Sequence, residues 1–383
     1  MNKLKSILQK MPFIFALFSL CNCSQKNSID ASYAYLKRHG QCPKEYIIST
    51  FDRYNYVFLG EPHWVKQDVD FVASLIPALY KTDVRNLALE FYEYQNQAVV
   101  DSVLTAREWN EALLYQSISS GYGVLMGYSE YLNIFKKVWE FNQTLELDQP
   151  KFRLIMLGGT FDPCKNGIEM FGGQDPDVFM AEVFEKEIIS KQEKGLVYCG
   201  MHHAFTKYQQ PIYDFEEGKL EGLSDTRFGS VIHQKYPEKT FTIALHHPWI
   251  SNEGFDKLTV RPVNGMIDVV IARLGNSPVG FDAKGTIMGQ LRADDTYYAF
   301  GYEDFKLEDF CDGYIFLAPY KDAVYVSPDP NFYCEHNLKI LKRILECFKL
   351  PQAAEASQSR EAAMELVAEI HGTADNRFGH LRE

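Results

Sequence analysis

The sequence is short of several things that would have assigned it quickly. It has no CxxC pair, so neither a zinc ribbon nor a thioredoxin-type redox site is supported. No P-loop, GxGxxG or GxSxG elbow stands where chemistry would need one, which removes the usual nucleotide, dinucleotide and serine-hydrolase signatures. Positive charge is scarce as well: 39 Lys and Arg face 51 Asp and Glu, a net charge of −12. Without a basic stripe there is no footprint for nucleic acid, and the partner is expected to be a small molecule or a peptide. Internal repeats and low-complexity tracts are absent too. No apolar run reaches the roughly 20 residues that span a bilayer.

What is present begins with an export segment. Lys3, Lys5 and Lys10 precede the uncharged run Met11 to Leu20 (MPFIFALFSL), a signal-peptide core rather than a transmembrane helix. It ends in Leu20-Cys21-Asn22-Cys23, which resembles a bacterial lipobox. Cys23 is the preferred lipid acceptor, because acylation at Cys21 would put bulky Leu20 where a small residue is usual. Residues 1 to 23 are therefore expected to be a lipoprotein signal, with the mature chain exported and lipid-anchored in the cell envelope, in the periplasm or at the outer membrane. Of the eight cysteines, Cys42, Cys164, Cys199, Cys311, Cys334 and Cys347 lie beyond this segment. Export permits disulfides, but six cysteines allow fifteen full pairings and the sequence does not choose among them. Cys199, inside an apolar run, reads as a core residue.

Across the full chain, 46% hydrophobic and 14% aromatic content support a large packed core in the residues beyond 23. The expected organisation is one α/β domain over 24 to 350 and a helical tail over 351 to 383, where Glu361 to Ile370 forms an amphipathic helix. The pattern from Asp30 to Asp52 is helical, interrupted at Gly40 to Pro43. Short apolar strands follow at Tyr54 to Gly60, Val84 to Leu89, Phe152 to Leu157, Leu196 to Gly200, Thr240 to Leu245, Met266 to Ala272 and Tyr314 to Ala318. Helical spacing occupies Lys66 to Tyr80 and Val178 to Ser190. Strand, helix and strand within about 35 residues is the βαβ cadence, so the fold expected is a mostly parallel central sheet flanked by helices. The stretch from 94 to 142 is too long for a simple crossover and reads as a helical insertion after the second strand, a lid or subdomain.

Three strand ends carry polar residues. Glu61 and His63 follow the first strand; if the chain stays extended through Pro62, both side chains face one side. Glu90 follows Leu87-Ala88-Leu89, and a carboxylate among such neighbours costs on the order of several kcal/mol unless it is paired, hydrogen-bonded or metal-bound. His203, with His202 as the alternative, follows the strand ending at Gly200. In an open α/β sheet such ends line one crevice. Glu61, His63, Glu90 and His203 would suit zinc, manganese or iron, or metal-free acid and base chemistry on a water. His246, with His247 beside it, follows the strand TFTIAL and could join the site. Asp162, Asp282 and Asp312 sit where aspartate ordinarily makes turns. Arg227 could hold a substrate carboxylate or phosphate.

Leu59-Gly60-Glu61-Pro62-His63, then Leu87-Ala88-Leu89-Glu90, then Gly200-Met201-His202-His203-Ala204 resemble the GExH, (L)E and GxxH(A) signatures of the ChaN-like haem-binding lipoproteins. More widely they are similar to the erythromycin-esterase-like and TraB/TIKI groups. The resemblance spans roughly Tyr54 to Ala318 and implies an α/β fold with Glu61, His63, Glu90 and His203 gathered at one site. It implies either haem binding in iron uptake or hydrolysis, metal-dependent in the TIKI-like branch. The chain departs from both patterns at Trp64, where the lipoproteins carry an acidic residue and the esterases a glycine, while the 94 to 142 insertion is closer to the esterases. Two activities are therefore expected in order: a hydrolase in which His63 or His203 activates water, and a haem or iron carrier with an axial histidine or tyrosine, His202 and His246 among them.

Overall fold

A computed structural model describes residues 27–255, 257–349, 359–371 and 379–382. The signal segment and both candidate lipid acceptors, Cys21 and Cys23, lie outside the described residues. Helices at 27–39 and Pro43–Thr50 lead into the sheet. Its strands are β1 (Tyr56–Glu61), β2 (Val84–Glu93), β3 (Arg153–Gly158), β4 (Lys194–Gly200), β7 (Thr240–Leu245), β8 (Val279–Asp282) and β9 (Gly313–Phe316), in the order β3-β2-β4-β1-β7-β9-β8. Every pairing is parallel except β8 with β9. A separate antiparallel pair, β5 (Gln210–Asp214) and β6 (Lys219–Ser224), lies outside this sheet.

Alternation along each strand divides the interior into two cores, because successive side chains leave a strand on opposite faces. Val57, Leu59, Leu87, Leu89, Leu196 and Tyr198 enter one core, and Tyr56, Phe58, Ala88, Val197 and Cys199 the other. Helix Lys66–Lys81 covers the first face with Val69, Val72, Ile76 and Leu79. Helices Pro176–Phe184, Phe228–Lys235 and Met266–Arg273 cover the second. The stretch after β2 is helical as expected, with helices Gln97–Thr105, Glu111–Ile118 and Ser129–Gln143. It packs into the first core through Val100, Leu104, Leu114, Ile134, Phe135 and Val138. Among the described residues no helix is long and apolar enough to cross a membrane.

Two expectations are corrected. Met266 to Ala272 is a helix, not a strand: Met266, Ile267, Val270 and Ile271 are buried at helical spacing, Asp268 stands in the first turn and Arg273 in the last, so its β-branched content yields to position. The second strand does not end at Leu89. It continues to Glu93, and the five residues of β2 from Leu89 to Glu93 are matched by three of β3, Met156 to Gly158. That bulge re-aims the strand end where Glu90 lies.

Cys164 and Cys347 form a disulfide across 183 residues of chain. It ties the segment after β3 to helix Glu335–Cys347, which enters the first core with Leu341, Ile344 and Leu345. Cys199 is fully buried in β4.

Candidate functional site

The chain leaves β1 towards β2 and β3 on one side of the sheet, and after β4 continues to β7 and β9 on the other. The winding therefore reverses around β1 and β4, the position at which open sheets leave a crevice beyond their carboxyl ends. β2, β4 and β1 are neighbours, so Glu90, Gly200 and Glu61 arrive side by side although the chain between them is long.

Glu61 closes β1 and is 1% exposed. Its carboxylate accepts from the Tyr131 hydroxyl at 2.8 and 3.0 Å, from the Tyr198 hydroxyl, and from His63 Nδ1 at 2.8 Å. The extended geometry expected for Pro62 and His63 is not kept. His63 and Trp64 have φ of 64° and 62°, left-handed backbone that non-glycine residues rarely adopt. This turn brings the imidazole back onto Glu61, and the Trp64 amide donates to the Tyr131 hydroxyl at 3.1 Å. Two such residues cost roughly 1–3 kcal/mol each, which the surrounding bonds must offset. Behind them Asp68 is buried with Oδ2 unbonded. Burial, with Glu61 nearby, pushes its carboxyl well above the usual carboxylate range.

His203 sits on the one-turn helix Met201–Ala204 that follows β4. Its Nδ1 bonds Asp177 Oδ1 at 2.6 Å. Asp177, in the first turn of helix Pro176–Phe184, also accepts from the Phe228 amide at 2.8 Å and Arg227 Nη1 at 3.2 Å. Arg227 is steadied in turn by its Nε bond to Gln210 at 2.8 Å. Both imidazoles thus have Nδ1 engaged by a carboxylate, and both turn Nε2 towards the same atom. Glu90 Oε1 lies 3.8 Å from His63 Nε2 and 3.6 Å from His203 Nε2, while Glu90 Oε2 accepts from the Gly200 amide at 2.5 Å. Gly200 has a steric reason to be glycine: a methyl there would stand 2.6 Å from His63 Nε2.

Burial lowers the proton affinity of His203, but Glu90 and Asp177 outweigh it and raise the pKa to about 9. Burial likewise opposes protonation of His63, and Glu90 and Glu61 outweigh it, so this pKa also rises. Asp177 moves the other way: burial would raise it, yet His203, Arg227 and the Phe228 amide together lower it.

The remaining expected residues are placed elsewhere. His202 turns to the Tyr298 hydroxyl at 2.9 Å, and burial with Arg227 and His203 nearby pushes it down to about 3. His246 bonds the Tyr314 hydroxyl at 2.9 Å and faces Asp268 at 3.5 Å. His247 bonds the Leu245 carbonyl at 2.6 Å. Asp162 turns back onto the Cys164 amide at 3.1 Å. Asp282 takes two bonds from Arg53 at 3.0 and 3.1 Å, and Asp312 pairs with Lys207 at 2.6 Å. Tyr131, Tyr198 and Asp177 were not singled out from the sequence, where the expected helix begins only at Val178.

No group of three or more His, Cys, Asp or Glu side chains among the described residues is arranged to hold a metal ion. The four-ligand set expected from the sequence fails physically at Glu61, whose oxygens are already taken by two tyrosine hydroxyls and an imidazole.

A cavity of about 480 Å³ opens beside the cluster. Glu90, Asp177, His203 and Arg227 stand in its wall, with Phe91, Tyr122, Phe161, Phe171 and Phe179 supplying an aromatic lining. Apolar walls around a few convergent polar groups are the usual make-up of a small-molecule site. His202 and His246 are not part of this lining.

No protein-family model and no curated protein matches the chain. Among solved structures, a succinoglycan biosynthesis protein is similar over 77% of this chain and 97% of its own, at 11% identity and a TM-score of 0.50. A mutant of the erythromycin esterase EreC in its open conformation is similar over 74% and 94%, at 11% identity and 0.49. Haem-bound ChaN of Campylobacter jejuni is similar over 55% and 89%, at 13% identity and 0.28. At such identities the likeness concerns the α/β fold alone.

Proposed function

We propose that this chain is a hydrolase that splits an ester or amide with an activated water held between His63, His203 and Glu90. The observation that carries the reading is the pair of Nε2 atoms converging on one oxygen of Glu90, each imidazole locked through Nδ1 by its own carboxylate. His203 and Glu90 stand in the cavity wall and His63 meets the same Glu90 oxygen behind them; structural ion pairs do not need two matched imidazoles, whereas acid and base catalysis needs them in fixed tautomers with pKa values moved by their surroundings.

The roles follow from protonation. His203, held near 9, keeps its proton at neutral pH and donates from Nε2 to the substrate carbonyl oxygen. His63 takes a proton from water at Nε2 as the water oxygen bonds to the carbonyl carbon. The same proton then passes to the leaving oxygen or nitrogen as its bond to that carbon breaks, and a carboxylic acid is released. Glu61 fixes the His63 ring and stabilises the imidazolium formed in the step. Glu90 orients the water between the rings.

The test is a panel of chromogenic esters and short peptides offered to residues 24–383, with His63→Ala and His203→Ala run beside it and a haem titration in parallel. Turnover that both variants lose supports the reading. A saturable haem absorption shift without turnover overturns it in favour of a haem carrier.

We further propose that Cys23 is lipidated and anchors the mature enzyme in the envelope. The Cys164–Cys347 disulfide supports export, since such bonds persist in oxidising compartments. Fatty-acid labelling that survives Cys23→Ser would overturn this.

A further inference from the structure

The cavity wall contains four carboxylates, and three have evident employment. Glu90 faces the two imidazoles, Asp177 holds His203 and Arg227, and Asp175 caps helix Pro176–Phe184 through the Asp177 and Val178 amides. Glu93 is different. It is 5% exposed, and its partners are neutral: the Gln95 amide nitrogen at 2.5 Å on Oε2 and the Phe161 backbone amide at 3.2 Å on Oε1. Both oxygens accept, the pattern of a carboxylate, and no cation among the described residues pairs with it. A buried carboxylate without counter-charge is unfavourable, so its retention in a cavity wall points to a charge that arrives with the ligand.

The surroundings narrow that ligand further. Tyr122, Phe161 and Phe171 line the same cavity as Glu93, with Tyr122 and Phe161 edge to face at 5.6 Å and Phe161 and Phe171 tilted at 5.9 Å. Several aromatic rings next to one carboxylate suit an alkylated ammonium, which ring faces attract and a carboxylate balances. Among the described residues no group of three or more His, Cys, Asp or Glu is arranged there to hold a metal cation. The bulge in β2 makes the arrangement possible: residues three apart in a regular strand point to opposite faces, yet both Glu90 and Glu93 reach this cavity.

We propose that the Glu93 end of the cavity is a subsite for an alkylammonium group, so that the natural substrate is a cationic ester or amide. Glu93 lies three positions on from Glu90, with Phe91 and Tyr92 between them in the bulged strand, placing the cation within about 10 Å of the scissile carbonyl. Only the word substrate rests on the hydrolase reading; the subsite itself is a claim about binding.

The experiment is equilibrium titration of residues 24–383 with choline and with its neutral isostere 3,3-dimethyl-1-butanol, followed by calorimetry. Choline should bind about tenfold or more tightly than the alcohol, the scale of a desolvated cation–π contact, and Glu93→Gln should bring the two close to parity. Equal binding of both probes to the unaltered protein overturns the subsite without any variant being needed. A preference that survives Glu93→Gln in a folded variant overturns the role of Glu93. Because no turnover is measured, a choline preference in a protein that hydrolyses nothing would sink the hydrolase reading alone, and hydrolysis of neutral esters without the preference would sink the subsite alone.

Discussion

His63 and His203 are the same side chain set to different tasks by what surrounds them. With Glu90 and Asp177 raising it to about 9, His203 is a donor over the neutral range, and His63 must be neutral to accept a proton. The rate should therefore rise with pH through the elevated pKa of His63, above 6.5, and fall as His203 deprotonates near 9, a bell whose limbs report the two groups. Replacing Glu90 with Gln removes the largest influence raising His203, so the alkaline limb should move to lower pH; a limb that stays in place would refute the assignment. The same shift has a consequence for stability. Unfolded, His203 titrates near 6.5, and folded near 9, so its ion pairs contribute fully below 6.5 and the contribution is lost as pH rises towards 9. Urea unfolding across pH 6 to 9.5 should show that decline and should lose it in His203→Ala. Gly200→Ala is the sharpest single-atom test: its methyl, 2.6 Å from His63 Nε2, should displace the ring and cut turnover by about a hundredfold, the scale of one acid–base group, while circular dichroism stays unchanged.

At the scale of elements, the site depends on how helix Ser129–Gln143 meets the end of β1. Tyr131 donates to Glu61 and accepts from the Trp64 amide, so one hydroxyl fixes both the carboxylate and the left-handed turn. Tyr131→Phe removes the hydroxyl that bonds both groups, and the expected loss is about 1–3 kcal/mol in denaturant midpoint experiments, with turnover falling as well; an unchanged midpoint would show that the turn holds itself. This dependence also marks where sequence reading stopped. Glu61, Glu90 and His203 were legible because short apolar strands ended in residues that do not belong in a core. The turn at His63 and Trp64 was not, since positive φ at two successive non-glycine residues is rare and the Tyr131 hydroxyl and Val326 amide that bond to it lie far away in chain. Asp177 was invisible for a similar reason: an acid in the first turn of a helix has an ordinary use there. The strand assigned to Met266–Ala272 failed because valine and isoleucine report burial as much as strand. The hairpin of β5 and β6 went unread because Lys219 to Ser224 (KLEGLS) has no β-branched or aromatic residue and is interrupted by a glycine.

For the whole molecule, the disulfide sets the relation between cavity and scaffold. Gly159, Thr160, Phe161, Phe171 and Gln174 form one wall of the cavity, on the segment between β3 and helix Pro176–Phe184 that also carries Cys164. Regular structure there is limited to the short turn Gly167–Phe171. Across the bond, Cys347 ends a helix whose apolar side is buried in the first core, so the wall is fastened to an element seated in that core. Closing a loop of 183 residues restricts the unfolded chain strongly, and the chain-entropy model puts the gain at up to about 5 kcal/mol. Cys164→Ser with Cys347→Ser should therefore lower the denaturant midpoint while the sheet, built from β1 to β9 without either residue, still forms. The functional effect should be selective. Glu90, His63 and His203 are positioned by β1, β2, β4 and helix Pro176–Phe184, so kcat should change little, whereas KM should rise as the aromatic wall loosens. A double variant with KM unchanged would show that the wall is held by its ring contacts, Phe161 against Phe348 among them, and that the bond serves stability alone. A fall in kcat at constant KM would place the disulfide's influence on the catalytic groups themselves.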